Sequence, residues 1–154
     1  MRIVGFDDGE SIDMLDRLNV LIVDDDGTML DVLSAFLEER GNNVTACGSG
    51  EDALAAFQTG SYDLVISDIE MAGMNGYELI TAIRALDSNA GIVLMTAYDH
   101  EHPLSEALRA GADGYISKPF SLRKFSLIFE QAYWTALSRS DWWETHKVKT
   151  GSQG

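Results

Sequence analysis

The amino-acid sequence predicts an α/β protein, a doubly wound, five-stranded parallel sheet with helices on both faces. Three observations point there. Short β-branched runs alternate with helical patterns from Val20 onward. Those runs are continuously apolar, as strands buried on both faces are, and not apolar at every second position. The chain has 154 residues, 45% of them hydrophobic, which suits one compact domain with its own core. Right-handed crossovers between parallel strands then leave few topologies open.

In chain order, residues 1–18 are polar and Gly/Asp-bearing. Ile12, Leu15 and Leu18 are spaced for one or two amphipathic turns, so this stretch reads as an extension. Val20-Leu21-Ile22-Val23 is the first strand. The pattern over 28–40 predicts a helix with Leu30, Leu33 and Leu37 on one stripe and Gly41 as its stop. A weaker strand follows at Val44-Thr45-Ala46-Cys47, then a helix over 51–58. Leu64-Val65-Ile66 and a helix over 76–86 form the next pair. Gly91-Ile92-Val93-Leu94-Met95 precedes a helix over 104–110, and Tyr115-Ile116 precedes one over 121–138. The main domain therefore spans 19–138. Residues 139–154 read as a tail or linker, polar apart from Trp142, Trp143 and Val148.

Charge narrows the function. Eleven Lys and Arg against 25 Asp and Glu leave a formal charge of −14, a field that repels polyanions, so direct nucleic-acid binding is not expected. Cys47 is the single cysteine, which rules out an intrachain disulfide and fits a reducing compartment. No basic stretch leads into an apolar one at the N-terminus, and no apolar run approaches the roughly 20 residues that span a bilayer. A cytoplasmic protein without a membrane segment is the expectation.

Ligands of parallel α/β sheets bind beyond the carboxyl ends of the strands. The residues that follow the strands here are Asp24-Asp25-Asp26, Asp68, Thr96 and Lys118. Several carboxylates in one small site stay ionised only beside a cation, and hard oxygen donors with room for water select Mg²⁺. Asp26, just before a predicted helix, is better read as an N-cap than as a ligand. Singly, Thr96 is an ordinary strand-end hydroxyl and Lys118 a surface amine. Together with Asp68 they supply a nucleophile, a hydroxyl donor and a fixed positive charge, the set that stabilises a transferring phosphoryl group. His100 and His102 lack a third partner for a zinc site and read as surface residues entering a helix.

Four ordered blocks resemble the receiver domains of two-component response regulators. They are Val-Leu-Ile-Val-Asp24-Asp25-Asp26, Leu-Val-Ile-Ser-Asp68-Ile-Glu-Met-Ala-Gly-Met-Asn-Gly76, Ile-Val-Leu-Met-Thr96-Ala97, and Gly111-Ala-Asp-Gly-Tyr115-Ile-Ser-Lys118-Pro119-Phe120. The likeness runs from about Asn19 to about Ala136. It implies the flavodoxin-like strand order 2-1-3-4-5 and a signalling switch phosphorylated on Asp68. Asp25 would be a direct Mg²⁺ ligand beside Asp68, Asp24 would contribute through metal or water, and the Glu70 backbone carbonyl would complete the set. Thr96 would bond a phosphoryl oxygen, Lys118 would pair with the acyl phosphate, and Tyr115 would rotate with the switch. Lys118-Pro119 matches the family's cis peptide. The donor would be a histidine kinase or a histidine phosphotransfer protein, and a dimer of the phosphorylated form is compatible with the likeness without being required. Such a protein is no conventional enzyme, since it catalyses only its own phosphorylation and dephosphorylation. Glu70 and Tyr98 match the positions flanking the route of the attacking water. A tyrosine there would make phosphate loss slow. One departure is Ala72-Gly73 after Met71, where receivers usually carry proline after the methionine, and a less rigid loop is expected.

A rival reading exists at the first loop. Asp24-Asp25-Asp26-Gly27-Thr28 also resembles the nucleophile motif of haloacid-dehalogenase-type phosphohydrolases, with Asp24 and Asp26 as its acids. Such enzymes need a further acidic metal motif after the lysine, and beyond Lys118 there are only Glu130, Asp141 and Glu144. A flavodoxin-like nucleotide binder fits less well, because three aspartates in the first loop repel a phosphate.

Overall fold

The structure is a computed structural model that describes residues 17–87 and 89–140. Five strands, β1 (Asn19–Val23), β2 (Asn43–Cys47), β3 (Leu64–Asp68), β4 (Gly91–Thr96) and β5 (Gly114–Ser117), form one parallel sheet in the order β2-β1-β3-β4-β5. Between and after them run α1 (Gly27–Glu38), α2 (Gly50–Thr59), α3 (Gly76–Leu86), α4 (Leu104–Ala110) and α5 (Leu122–Arg139). The expected elements are all present, with ends shifted by one or two residues. The first helix ends at Glu38, with its C-cap Glu39 still in right-handed geometry. Gly41 then turns the chain at φ 92°, a left-handed conformation that glycine adopts without a steric penalty.

Strand periodicity sorts the core into two layers. Val20, Ile22, Leu64, Ile66, Val93 and Met95 point to one face, where Leu33 and Leu37 of α1 and Phe125 and Phe129 of α5 cover them. Leu21, Val23, Val65, Ile92 and Leu94 point to the other, under Phe57 of α2, Leu79, Ile80 and Ile83 of α3 and Ala107 of α4. Central strands sandwiched in this way have no polar face, which is why β3 and β4 are buried at every position. The edge strand β2 is half-exposed, and its sequence pattern is correspondingly weak.

The amino end of the sheet is bolted by Asp113. Its carboxylate takes ion pairs from Arg84 and Arg139 and a hydrogen bond from the Ile92 N–H. With that end closed, the functional rim lies at the carboxyl ends. None of the described helices is long and apolar enough to cross a membrane. Ile12, Leu15, Trp142 and Trp143 lie outside the described residues.

Candidate functional site

Parallel register delivers the site residues to one rim. Val23 pairs with both Cys47 and Ser67, Asp68 with Met95, and Thr96 with Ser117, so Asp24, Asp68, Thr96 and Lys118 emerge side by side. Backbone hydrogen bonds continue the ladder past the strand ends. The Asp24 N–H donates to the Cys47 carbonyl, Ile69 N–H to Met95, and Lys118 N–H to Thr96. The chemistry-bearing side chains are therefore held by sheet geometry and not by mobile loops.

Asp24, Asp68 and Thr96 are buried, whereas Asp25 is exposed at the mouth. Lys118 Nζ donates to Asp24 Oδ2 at 2.8 Å and lies 3.4 Å from Asp68 Oδ2. Asp24 Oδ1 accepts the Asp26 N–H at 2.9 Å, so both Asp24 oxygens already have partners. Asp68 Oδ1 is different: it is buried and accepts no hydrogen bond. Burial, reinforced by the Asp24 charge, pushes Asp68 up to about 7 against the pull of Lys118. Burial acts on Lys118 in the opposite sense, but the hydrogen bond to Asp24 and the charge of Asp68 outweigh it and hold the ammonium above its ordinary value. The lysine stays charged throughout the physiological range.

A buried carboxylate oxygen with no donor is costly unless something else satisfies it. Asp24, Asp25 and Asp68 each offer a carboxylate oxygen, all within 4.8 Å of one another. An all-oxygen, anionic donor set of this size suits a hard divalent cation such as Mg²⁺. Asp25 and Glu70 also line one open cleft of about 430 Å³, together with Met71, Asn75 and His102. Asp26 stands apart from this group as the N-cap of α1, its Oδ1 accepting the Thr28 N–H at 3.0 Å. It is engaged as a cap, as expected, and not as the second acid of a phosphohydrolase.

Two close contacts bring α3 and its loop onto the acceptor strand. A Cβ on Gly76 would fall 2.4 Å from the Asp68 carbonyl oxygen, so only glycine lets the start of α3 approach so near. Asn75 caps that helix in a reciprocal box with Glu78. The loop that lacks the usual proline carries Gly73 at φ 75°, and Glu51 of α2 braces it by accepting the Met74 N–H at 2.8 Å. Nothing in the local sequence around Glu51 announces that brace, which joins segments distant in the chain.

Thr96 and Tyr115 tie the rim to α4. The Thr96 hydroxyl donates to Glu70 Oε2 at 2.7 Å and accepts the Tyr98 N–H at 2.8 Å. The Tyr115 hydroxyl donates to the His102 backbone carbonyl. Lys118-Pro119 is cis, as expected. One expectation needs correction. His100 is exposed, but His102 is not a plain surface residue: its Nε2 lies 3.1 Å from Glu70 Oε2, because the turn between Tyr98 and Pro103 folds it back over the cleft. Tyr98, expected near the water route, is 54% exposed.

A doubly wound sheet with an acidic pocket, a threonine and a lysine on its carboxyl rim is the arrangement that the resemblance to receiver domains implies. The chain belongs to the response regulator receiver domain family, whose sequence model matches residues 20–129. It is similar to the transcriptional regulatory protein ZraR of Salmonella typhimurium, at 37% identity over 75% of this chain and 26% of that protein. It is also similar to the regulatory protein VanRB of Enterococcus faecalis, at 39% over 69% and 48% respectively. The chain thus spans a quarter to a half of these relatives' lengths. Among solved structures, the response regulator TrrA of Thermotoga maritima, in complex with Mg²⁺–BeF, aligns with a TM-score of 0.68. It is 35% identical over 75% of this chain and 98% of that one. The receiver domain of Francisella response regulator 1452 aligns at 0.70, with 28% identity over 77% and 98%. The family is that of the receiver domains of two-component response regulators.

Proposed function

We propose that this receiver domain, spanning 19–138, is a phosphorylation switch in which Asp68 accepts a phosphoryl group from a histidine kinase or histidine phosphotransfer protein. The observation that carries the reading is the state of Asp68: buried at a strand end, one oxygen beside Lys118, the other without a hydrogen bond. In the transfer, an Asp68 carboxylate oxygen attacks phosphorus, the P–N bond to the donor imidazole breaks, and the imidazole nitrogen leaves with the electron pair and takes up a proton. Lys118 neutralises a phosphoryl oxygen, and the Thr96 hydroxyl donates to another. Mg²⁺, held by Asp25, Asp68 and the Glu70 carbonyl with Asp24 direct or through water, neutralises the remaining charge when bound. That the similar Thermotoga maritima response regulator was solved in complex with Mg²⁺–BeF supports a Mg²⁺-dependent reading.

Movement of Thr96 and Tyr115 then alters the α4 surface for a downstream partner, and self-dephosphorylation is slow. The setting we propose is cytoplasmic. Intact-mass analysis after incubation with acetyl phosphate tests the reading. One phosphoryl group is expected on the wild type with Mg²⁺, and none in chelator or on Asp68→Asn. Full labelling of that variant, or of wild type in chelator, would overturn it.

A further inference from the structure

We infer that the Glu70 side chain is a positioning residue, a latch that occupies the Thr96 hydroxyl proton and must release it before Thr96 can serve the phosphoryl group. The inference rests on the phosphoacceptor reading of Asp68. A threonine hydroxyl has one proton to donate, and here it goes to Glu70 Oε2 at 2.7 Å. The Tyr98 N–H fills an acceptor site on the same oxygen, which fixes the rotamer. A phosphoryl oxygen on Asp68 competes with Glu70 for a single proton, and the two cannot both win.

The latch is braced from outside. His102 Nε2 sits 3.1 Å from the same Glu70 oxygen, and the His102 ring packs edge-on against Tyr77 at 5.5 Å between centroids. Tyr77 in turn donates to Glu106 of α4, and Tyr115 donates to the His102 carbonyl. Side chains of Glu70, Tyr77 and Tyr115 therefore meet at His102, the first two at its ring and the third at its backbone carbonyl. When a phosphoryl group takes the Thr96 proton, Glu70 loses its shortest bond and is repelled by the new charge. His102 is the contact through which that change reaches both α4 and Tyr115. Glu70 is more than an acceptor for Thr96, since its charge also raises the proton affinity of Asp68. The test must separate the two roles.

The rate of Asp68 phosphorylation by acetyl phosphate with Mg²⁺ is measured for wild type, Glu70→Ala, Glu70→Gln, Thr96→Ala and the double variant Glu70→Ala/Thr96→Ala. Freeing Thr96 is expected to raise the rate in Glu70→Ala by about fivefold to tenfold, within the net factor for one ordinary hydrogen bond. Glu70→Gln keeps an acceptor for Thr96 and is expected close to wild type. Removing Glu70 in the Thr96→Ala background is expected to change little. Equal acceleration with and without Thr96, or Gln behaving as Ala, shows charge repulsion alone and overturns the latch. Failure of wild type to label at Asp68 overturns the acceptor reading as well, whereas normal labelling with no acceleration in Glu70→Ala overturns the latch alone.

Discussion

Lys118 faces Asp68 across 3.4 Å but gives its shorter bond, 2.8 Å, to Asp24. The acceptor carboxylate therefore sits buried beside a second carboxylate with only half of a lysine's attention, and its pKa rises to about 7. Folded Asp68 keeps its proton up to that value, while in the unfolded chain it ionises near 4. Its contribution to stability is fully present below about pH 4 and is lost as pH rises through about 7. In metal-free buffer, wild type should lose up to about 4 kcal/mol relative to Asp68→Asn over that interval. Urea denaturation of both proteins across it checks this, and a constant difference would show that Asp68 ionises normally.

Divalent cation should offset part of the penalty. At about ten times its Kd, Mg²⁺ adds roughly 1.4 kcal/mol to a state that alone binds it. Thermal melts near pH 8 with and without Mg²⁺ should show that gain in wild type and a clear reduction of it in Asp25→Asn. Asp25 is exposed and makes no bond that folding needs, so an undiminished gain would remove it from the ligand set.

Gly76→Ala tests the contact between α3 and the acceptor strand. Its Cβ would press on the Asp68 carbonyl at 2.4 Å, and backbone has nowhere to yield. A loss of about 1–3 kcal/mol is expected, together with slower phosphorylation as the Asp68 main chain shifts. Wild-type stability in this variant would mean that the approach is looser than described.

Most of this architecture was legible in the residues, for a physical reason. Strands such as β3 and β4 are buried on both faces, so their runs are apolar; Asp24 and Thr96 are the first polar residues after such runs, and Asp68 and Lys118 each follow one serine later. Edge strand β2 has one half-exposed face and left a fainter trace. What escaped was tertiary. His100 and His102 look alike in sequence, and only the fold sends one into solvent and the other onto Glu70. Glu51 reads as an ordinary first-turn acid of α2, a favourable place on dipole grounds alone, and its grip on Met74 depends on how α2 packs beside α3.

Tyr98 offers a kinetic prediction. The residue is more than half exposed, so shielding of an acyl phosphate requires its ring to swing inward once Thr96 moves and the Tyr98 N–H loses its partner. Tyr98→Ala should then speed phosphate loss from Asp68 by about tenfold, or 1.4 kcal/mol of barrier. Equal or slower decay would leave Tyr98 as a surface residue for partners.

Which carboxylate carries the phosphoryl group is the question that decides the account most directly. After acetyl phosphate treatment with Mg²⁺, borohydride reduces an aspartyl phosphate to homoserine, and tandem mass spectrometry of the digest reads its position. Homoserine at position 68 alone is the predicted result. Homoserine at position 24 or 26, as a phosphohydrolase-type nucleophile would give, or at no position, would contradict it.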